Sequence, residues 1–450
     1  MDFSGPAVIA NLPPGSRWPA AAQLLAWLYR PFETVAHFRE RYGSPFTMRF
    51  PRWPAMVVFD DPEANKEIFR TSNDQLHAGR ANEPLRPIVG GNSLLLLDGD
   101  RHLRERKLLM PPFRGERMTR YGEVMCEVAE ADLATWPLDE PFAVQPHTQG
   151  ITLDIILRTV FGVDEGSDKD RLRAALNDLI GDFSSPGMMV PWLQKDLGPR
   201  SPWGRYLRTR ARNYEMIHAL IDERRANPRP GDDIFSMLLD ARHEDGREMS
   251  REELRDELLT LLVAGHETTA TALSWAFSHL IEHPSVQRRV HEELDEKLGD
   301  GPIDPERSKE LVFLDAVVRE TLRLIPVIAA VGRIVTETVT IAGVTVPPGC
   351  MVSPNIYLTH MNPTVYRRPD RFEPERWLDR RPNPYEWFPF GGGTRRCIGM
   401  AFALYEMRLV LATVLRHHRV RRAPGASHRP VRRSVTMAPK GGTPIVLTRR

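Results

Sequence analysis

Ser250-Arg-Glu-Glu253 reads as a capping box, in which a serine side chain and a glutamate three residues later satisfy each other's free backbone N–H groups. No proline or other clear stop follows until Pro284. The spacing therefore predicts one helix from about 251 to 282, about 48 Å long at ~1.5 Å per residue. A rod of that length crosses a whole domain, so the rest of the chain has to be arranged around it. Near its middle stands Ala264-Gly265-His266-Glu267-Thr268-Thr269. A mid-helix glycine costs roughly 1 kcal/mol against alanine and should have a reason. Ala264 and Thr268 share a face, and with Gly265 beside them that face is small enough for a flat partner to approach. His266-Glu267 resembles half of a His-Glu-x-x-His zinc site, but position 270 is Ala270, so the second ligand is missing.

A second stretch, Phe388–Glu406, combines three glycines, Gly391–Gly393, with Cys397. Glycines let a backbone come close to a large flat partner. Met400, Ala403, Leu404, Met407, Leu411 and Val414 recur at helical spacing, which predicts a helix beginning at about Cys397 with one buried face. A cysteine at a helix N-terminus is expected to shift toward thiolate. A thiolate with glycine around it and an apolar helix behind it suits an iron ligand; the competing reading is an inert buried cysteine.

Composition bounds the rest. The chain has 450 residues, 41% hydrophobic and 27% charged, enough for a large core, and a net charge of +2 that demands no nucleic acid or acidic partner. The basic tail, Arg416–Arg433, carries no nucleic-acid recognition motif. Three cysteines, Cys126, Cys350 and Cys397, argue for a reducing compartment without disulfides, and no Cys-x-x-Cys-His attaches a haem covalently. The N-terminus lacks a basic leader and a long apolar run, and the apolar stretch Gln23–Tyr29 is too short to span a bilayer. A cytoplasmic protein without a membrane anchor is expected.

Along the chain, Phe46–Phe50 and Met56–Phe59 read as strands, Pro62–Arg70 as a short helix and Asn73–Ser93 as a loop. Asp98 opens a helix on which His102 and Arg106 share a face. Residues 117–182 are mostly helical. Phe183–Gly204 is an apolar segment broken by prolines and glycines, either a covered loop or a lid. Arg205–Arg225 and Leu311–Leu324 are helices, the second with Glu320 and Arg323 on one face. Ile334–Thr340 and Val344–Val346 read as a hairpin around Ala342-Gly343. Pro382–Phe388 leads back to the cysteine loop.

Phe390-x-x-Gly393-x-Arg395-x-Cys397-x-Gly399 resembles the haem-binding loop of the cytochrome P-450 monooxygenases at every fixed position, and Ala264-Gly-x-Glu267-Thr268-Thr matches that family's central-helix pattern. The resemblance covers roughly residues 10–447. It implies a mainly α fold with a small β region, a single domain over 1–450, and one haem b between the long helix and the cysteine helix. Cys397 would be the axial thiolate, which favours O–O cleavage. Phe390 would pack beside its sulfur, with Gly399 completing the loop. His102, Arg106, Arg333 and Arg395 would contact the haem propionates. Glu267 and Thr268 would relay protons to the dioxygen being activated. Ala264 and Val327–Val331 would touch substrate, and Glu320, Arg323 and Arg376 would form a structural network holding the loop.

The implied reaction inserts one atom of O2 into a C–H or C=C bond of a hydrophobic small molecule, a fatty acid, terpenoid or similar. The electrons would come from NAD(P)H through a ferredoxin or flavodoxin with its reductase, docked on Arg104, Lys107, Arg114 and Arg396. The enzyme would be a soluble monomer of bacterial type. A haem-thiolate peroxygenase or isomerase would not need Glu267-Thr268, and a non-enzymatic haem sensor would need an output domain; both are the weaker readings.

Overall fold

In a computed structural model, described over residues 12–164, 166–228, 231–299, 301–379, 381 and 383–450, the capping box forms as read. Ser250 Oγ accepts from Glu253 N at 3.1 Å, and Glu253 Oε2 accepts from Ser250 N at 2.7 Å. The helix then runs Arg251–Glu282 without interruption, and Pro284 begins the next one, Pro284–Leu298. The long helix is apolar nearly all round because it is covered nearly all round. Gln145–Thr159, Pro202–Ala226, Val312–Leu324 and Met400–His417 pack on it, and so does the strand Thr436–Pro439. Trp275 is fully buried, and its indole N–H donates to the Met437 carbonyl at 2.6 Å.

Gly265 has a further reason beyond the one read in the sequence. A Cβ there would come within 2.8 Å of Ile156 Cδ1, so the glycine lets the helix Gln145–Thr159 press close. Ala264 is the exposed residue of this stretch and Thr268 is half-buried, while His266 and Glu267 are buried. In the middle of a buried helix, such openness marks an interior cleft.

The β structure is small and lies to one side. A five-stranded mixed sheet has the order Phe46–Met48, Met56–Phe59, Met351–Pro354, Arg333–Val335, Leu76–His77. Its one parallel pair aligns Met56 with Met351. Pro141–Ala143, Pro444–Arg449 and His418–Arg422 form a second sheet, so the basic tail is built into the fold as strand.

Two local expectations change, and a third segment takes shape. Asn73–Ser93 is not a bare loop but contains a strand and the short helices Ala78–Ala81 and Arg86–Val89. The run 334–340 divides, because Ile334 pairs with Met351 in the large sheet, and only Val339–Ile341 forms the hairpin with Val344–Val346. The segment after Phe183 forms two 3-10 turns and is covered only in part, with Leu193 60% and Leu197 81% exposed. Met188 and Val190 are buried, and Trp192 meets Trp53 edge-on with ring centroids 6.4 Å apart. Residues 1–11 and Pro382 lie outside the described residues, and with them most of the N-terminal stretch read for a leader. Among the described residues no helix is long and apolar enough to cross a membrane.

Candidate active site

The cysteine turn is closed by its own backbone. Cys397 N donates to the Phe390 carbonyl at 3.0 Å, Arg396 N to Gly393 at 3.2 Å, and Gly391 N to Phe388 at 2.9 Å. Gly393 has φ +64°, and a Cβ there would stand 2.4 Å from the Phe69 carbonyl oxygen. The turn is thus pressed against the end of the helix Pro62–Arg70, a contact only glycine permits. Phe390 packs at the edge of the main core, edge-on to Trp387 at 6.2 Å.

The helix behind the cysteine begins later than expected, at Met400 with Gly399 as its cap. Cys397 is therefore before the first turn, and its pKa moves opposite to the direction read from the sequence. Burial pushes it up, opposed by a backbone N–H from Gly399 and the charges of Arg106 and Arg396. The thiol lies deep in the fold yet Cys397 keeps accessible surface, so that surface faces the interior cleft. A metal is what would deprotonate such a thiol outright.

Around the same cleft the cationic residues gather. His102 and Arg106 stand on the helix Gly99–Leu109, Arg333 starts its strand, and Arg395 stands in the cysteine turn. Arg395 pairs with Asp98 at 2.6 Å and also reaches the Leu97 and Leu94 carbonyls. Asp98 precedes its helix but caps nothing there. Its carboxylate instead accepts from Gly79 N at 2.7 Å and Arg80 N at 3.0 Å. Burial lowers Arg395 to about 10, with Asp98 opposing. Burial and then the charge of Arg395 lower Arg333, also to about 10. His102 falls to about 3, through burial first and then Arg395, Arg106 and Arg333. It is neutral near pH 7, and its Nδ1 is buried without a partner. Asp98 is the one carboxylate among the charges acting on Arg333 and Arg395. An interior with excess positive charge and an orphaned nitrogen fits a buried dianion, and the two propionates of haem are one.

Glu320, Arg323 and Arg376 do meet. Arg323 and Glu320 are fully buried and paired through two bonds of 2.8 Å. Glu320 also accepts from Arg376 Nε at 3.0 Å, Trp377 Nε1 at 2.9 Å and Glu373 N at 2.9 Å. Arg323 spends its other N–H groups on the carbonyls of His360, Pro369 and Arg371. His360, which the sequence did not single out, joins this network to the cysteine turn. Its Nδ1–H donates to the Arg323 carbonyl at 3.0 Å, and its Nε2 accepts from Phe388 N at 3.2 Å. Isolated in the sequence, it had no periodicity or charge partner to mark it.

On the long helix, Thr268 Oγ donates to the Ala264 carbonyl at 2.6 Å. Its only proton is used within the helix, so its oxygen is left as an acceptor. Glu267 is buried; it accepts from Gln149 Nε2 at 2.8 Å and has Arg433 Nε at 4.0 Å. Burial raises its pKa, opposed by Arg433 and Gln149. His266 is a packing residue, bonded to Thr152 at 2.8 Å.

The substrate-facing segment differs in detail. Val327 is closed in the main core, and Val331 packs with Phe69, Ile356 and Phe388 beside Gly391. Ile328, Ala329 and Ala330 are the half-open residues between them.

A family model described as Cytochrome P450 matches residues 12–446. A Mycobacterium tuberculosis protein named "Putative cytochrome P450 135B1" is 40% identical over 442 residues, covering 97% of this chain and 91% of that one. Among solved structures, "Retinoic acid bound cyanobacterial CYP120A1" superposes with a TM-score of 0.86 at 26% identity, covering 98% of this chain and all of the other. The "cytochrome P450DA heme domain" gives 0.85 at 24% identity and 98% coverage of both, a likeness of fold.

Proposed function

Since this chain belongs to the cytochrome P450 family and is a haem-dependent monooxygenase, we propose that it oxidises a hydrophobic small molecule over the open face of Ala264 and Thr268. One observation carries this reading: that face is open in the middle of an otherwise buried helix, while Cys397 opens onto an interior cleft where Arg106, Arg333 and Arg395 outnumber the one carboxylate, Asp98. Haem b, when bound, supplies the activation of dioxygen and the transfer of one oxygen atom. Cys397 would hold its metal, while Arg333, Arg395, Arg106 and neutral His102 would hold its carboxylates. Glu320, Arg323 and Arg376 keep the cysteine turn in place through His360. Ala264 and Val331, with Ile328–Ala330, give the apolar walls, while Val327 supports them from the core. The neighbour with retinoic acid bound supports a terpenoid or fatty-acid-like substrate.

Proton handling falls to two side chains. Thr268 Oγ, its own proton committed to Ala264, accepts a proton donor, so it positions a water whose proton points into the cleft. Glu267, buried with a raised pKa, takes a proton at a pH nearer neutrality than an ordinary carboxylate does. Arg433, more than a third exposed, marks the side from which solvent reaches it. Electrons from NAD(P)H would arrive through a ferredoxin or flavodoxin on the exposed Arg104, Lys107, Arg114 and Arg396, with the enzyme acting as a monomer.

Thr268→Ala is expected to bind substrate and accept electrons but to release peroxide. Glu267→Gln should lose roughly 10²-fold in turnover, the scale of a general acid or base. The ratio of oxidised product to NAD(P)H consumed, with peroxide assayed in parallel, checks both. A wild-type ratio in Thr268→Ala would move proton delivery elsewhere and favour peroxygenase or isomerase chemistry.

A further inference from the structure

Away from the cysteine cleft, three side chains from separate elements converge. Glu105 lies on the helix Gly99–Leu109, Glu253 in the capping box, and His243 in the turn between Arg242 and Glu248. The turn is well fixed: Arg242 and Glu248 bridge, and His243 N donates to the Arg247 carbonyl at 2.8 Å. His243 Nδ1 lies 3.5 Å from Glu105 Oε1, and its Nε2 lies 3.7 Å from Glu253 Oε2. Both separations are too long for good hydrogen bonds. The side chains of His243 and Glu105 are only 10% and 7% exposed. His243 Nε2 is buried without a hydrogen-bond partner. Among the described residues, Glu105 has no ion-pair partner but this ring. The group edges a cleft of about 530 Å³ that is open to solvent on its far side.

We propose that Glu105, His243 and Glu253 bind a divalent transition-metal ion, zinc in the first instance, with water completing its shell. One ligand atom from each residue lies within 4.8 Å of the others. Zinc holds imidazole nitrogen and carboxylate oxygen at about 2.0–2.2 Å, which sets ligands roughly 3–3.5 Å apart, so the two carboxylates, which now face opposite ring nitrogens, would turn toward one of them. Arg247 is the present counter-ion of Glu253, at 2.8 and 3.1 Å. Its side chain is half exposed and can turn to solvent, a pair of the kind that contributes little stability. Ser250 N keeps its bond to Glu253, so the cap survives while Glu253 gains a lone pair for the ion. Arg101, Arg104 and Arg247 line the cleft against four carboxylates, Glu105, Glu244, Asp245 and Glu253, so the arginines do not leave the lining net positive. Burial raises the pKa of Glu105, so a cation beside it would favour the ionised carboxylate that a metal needs. The ion would tie the helix of His102 and Arg106 to the first turn of the helix of Glu267 and Thr268.

The test is calorimetric titration of the haem-loaded protein, stripped of metal by chelator, with zinc chloride at pH 7 in a non-coordinating buffer. One saturable zinc per chain is expected. His243→Ala and Glu105→Gln should each weaken it by at least about tenfold, whereas Arg247→Ala should bind zinc as tightly or more tightly. The haem spectrum of each variant verifies that it is folded, and Glu105→Gln stands in if His243→Ala fails to fold. No saturable zinc binding, or wild-type affinity in both ligand variants, overturns the proposal; the second outcome would place the zinc on another of the chain's 14 histidines.

Discussion

Cys397→Ala, purified as a folded protein, is expected to lose turnover to background and to lose the red-shifted carbon monoxide band that marks thiolate-ligated haem. The cause is specific to this thiol. Burial holds it protonated, and the Gly399 N–H with Arg106 and Arg396 offsets only part of that. A metal charge is then needed to make and keep the thiolate, so no neighbouring residue can stand in. Cys126 and Cys350 are buried elsewhere, in the main core and beside the five-stranded sheet. Cys397→His should bind haem with a nitrogen-ligand spectrum and little oxygenation. Circular dichroism separates ligand loss from unfolding. A folded Cys397→Ala that keeps the thiolate band would sink the assignment.

Glu320→Ala should cost about 3–5 kcal/mol, because it leaves a buried guanidinium without its counter-charge. Arg323 has no exposed surface and would keep the carbonyls of His360, Pro369 and Arg371 and the Tyr366 ring at 5.2 Å, none of them a counter-charge. Arg376 Nε, Trp377 Nε1 and the Glu373 amide would lose an acceptor at the same time. Haem incorporation should fall with stability, since His360 joins Arg323 to Phe388 at the mouth of the cysteine turn. Glu320→Gln, which keeps two acceptor lone pairs but no charge, should fall between. Denaturant unfolding and haem occupancy are the measurements. Wild-type values for both in Glu320→Ala would show that the triad does not hold the turn.

What was legible in the sequence follows from how local each determinant is. The ends of the long helix are set by Ser250, Glu253 and Pro284, all adjacent in sequence to what they control, and the helix has the expected bounds. The resemblance of the cysteine and Glu-Thr stretches identified the family and its mainly α fold. Reasons that depend on distant partners were hidden. Gly265 answers to Ile156, Gly393 to Phe69, and Asp98 to Gly79 and Arg395, none of them near in the chain. The lid segment shows the same limit. Prolines and glycines around Met188 and Val190 mark an irregular backbone, but whether it is covered depends on what packs over it. The thiol shift had the wrong sign because Ile398 and Gly399 separate Cys397 from the helix, and burial outweighs what the backbone N–H groups offer.

The His360 ring also makes the cysteine turn a proton-linked joint. Its Nε2 accepts from Phe388 N only while it carries no proton. Burial, and then the charge of Arg323, hold its pKa at about 3 against 6.5 for a free imidazole. Between those values the unfolded chain binds a proton that the folded chain refuses, so stability rises with pH across that window. The contribution is complete above about 6.5 and drains away as the pH falls toward about 3. Acidification should therefore release haem within that interval, and His360→Gln, whose amide can serve both partners without titrating, should flatten the acid limb followed by haem absorbance. An unchanged acid limb in a folded His360→Gln would place the acid sensitivity on other buried imidazoles such as His102.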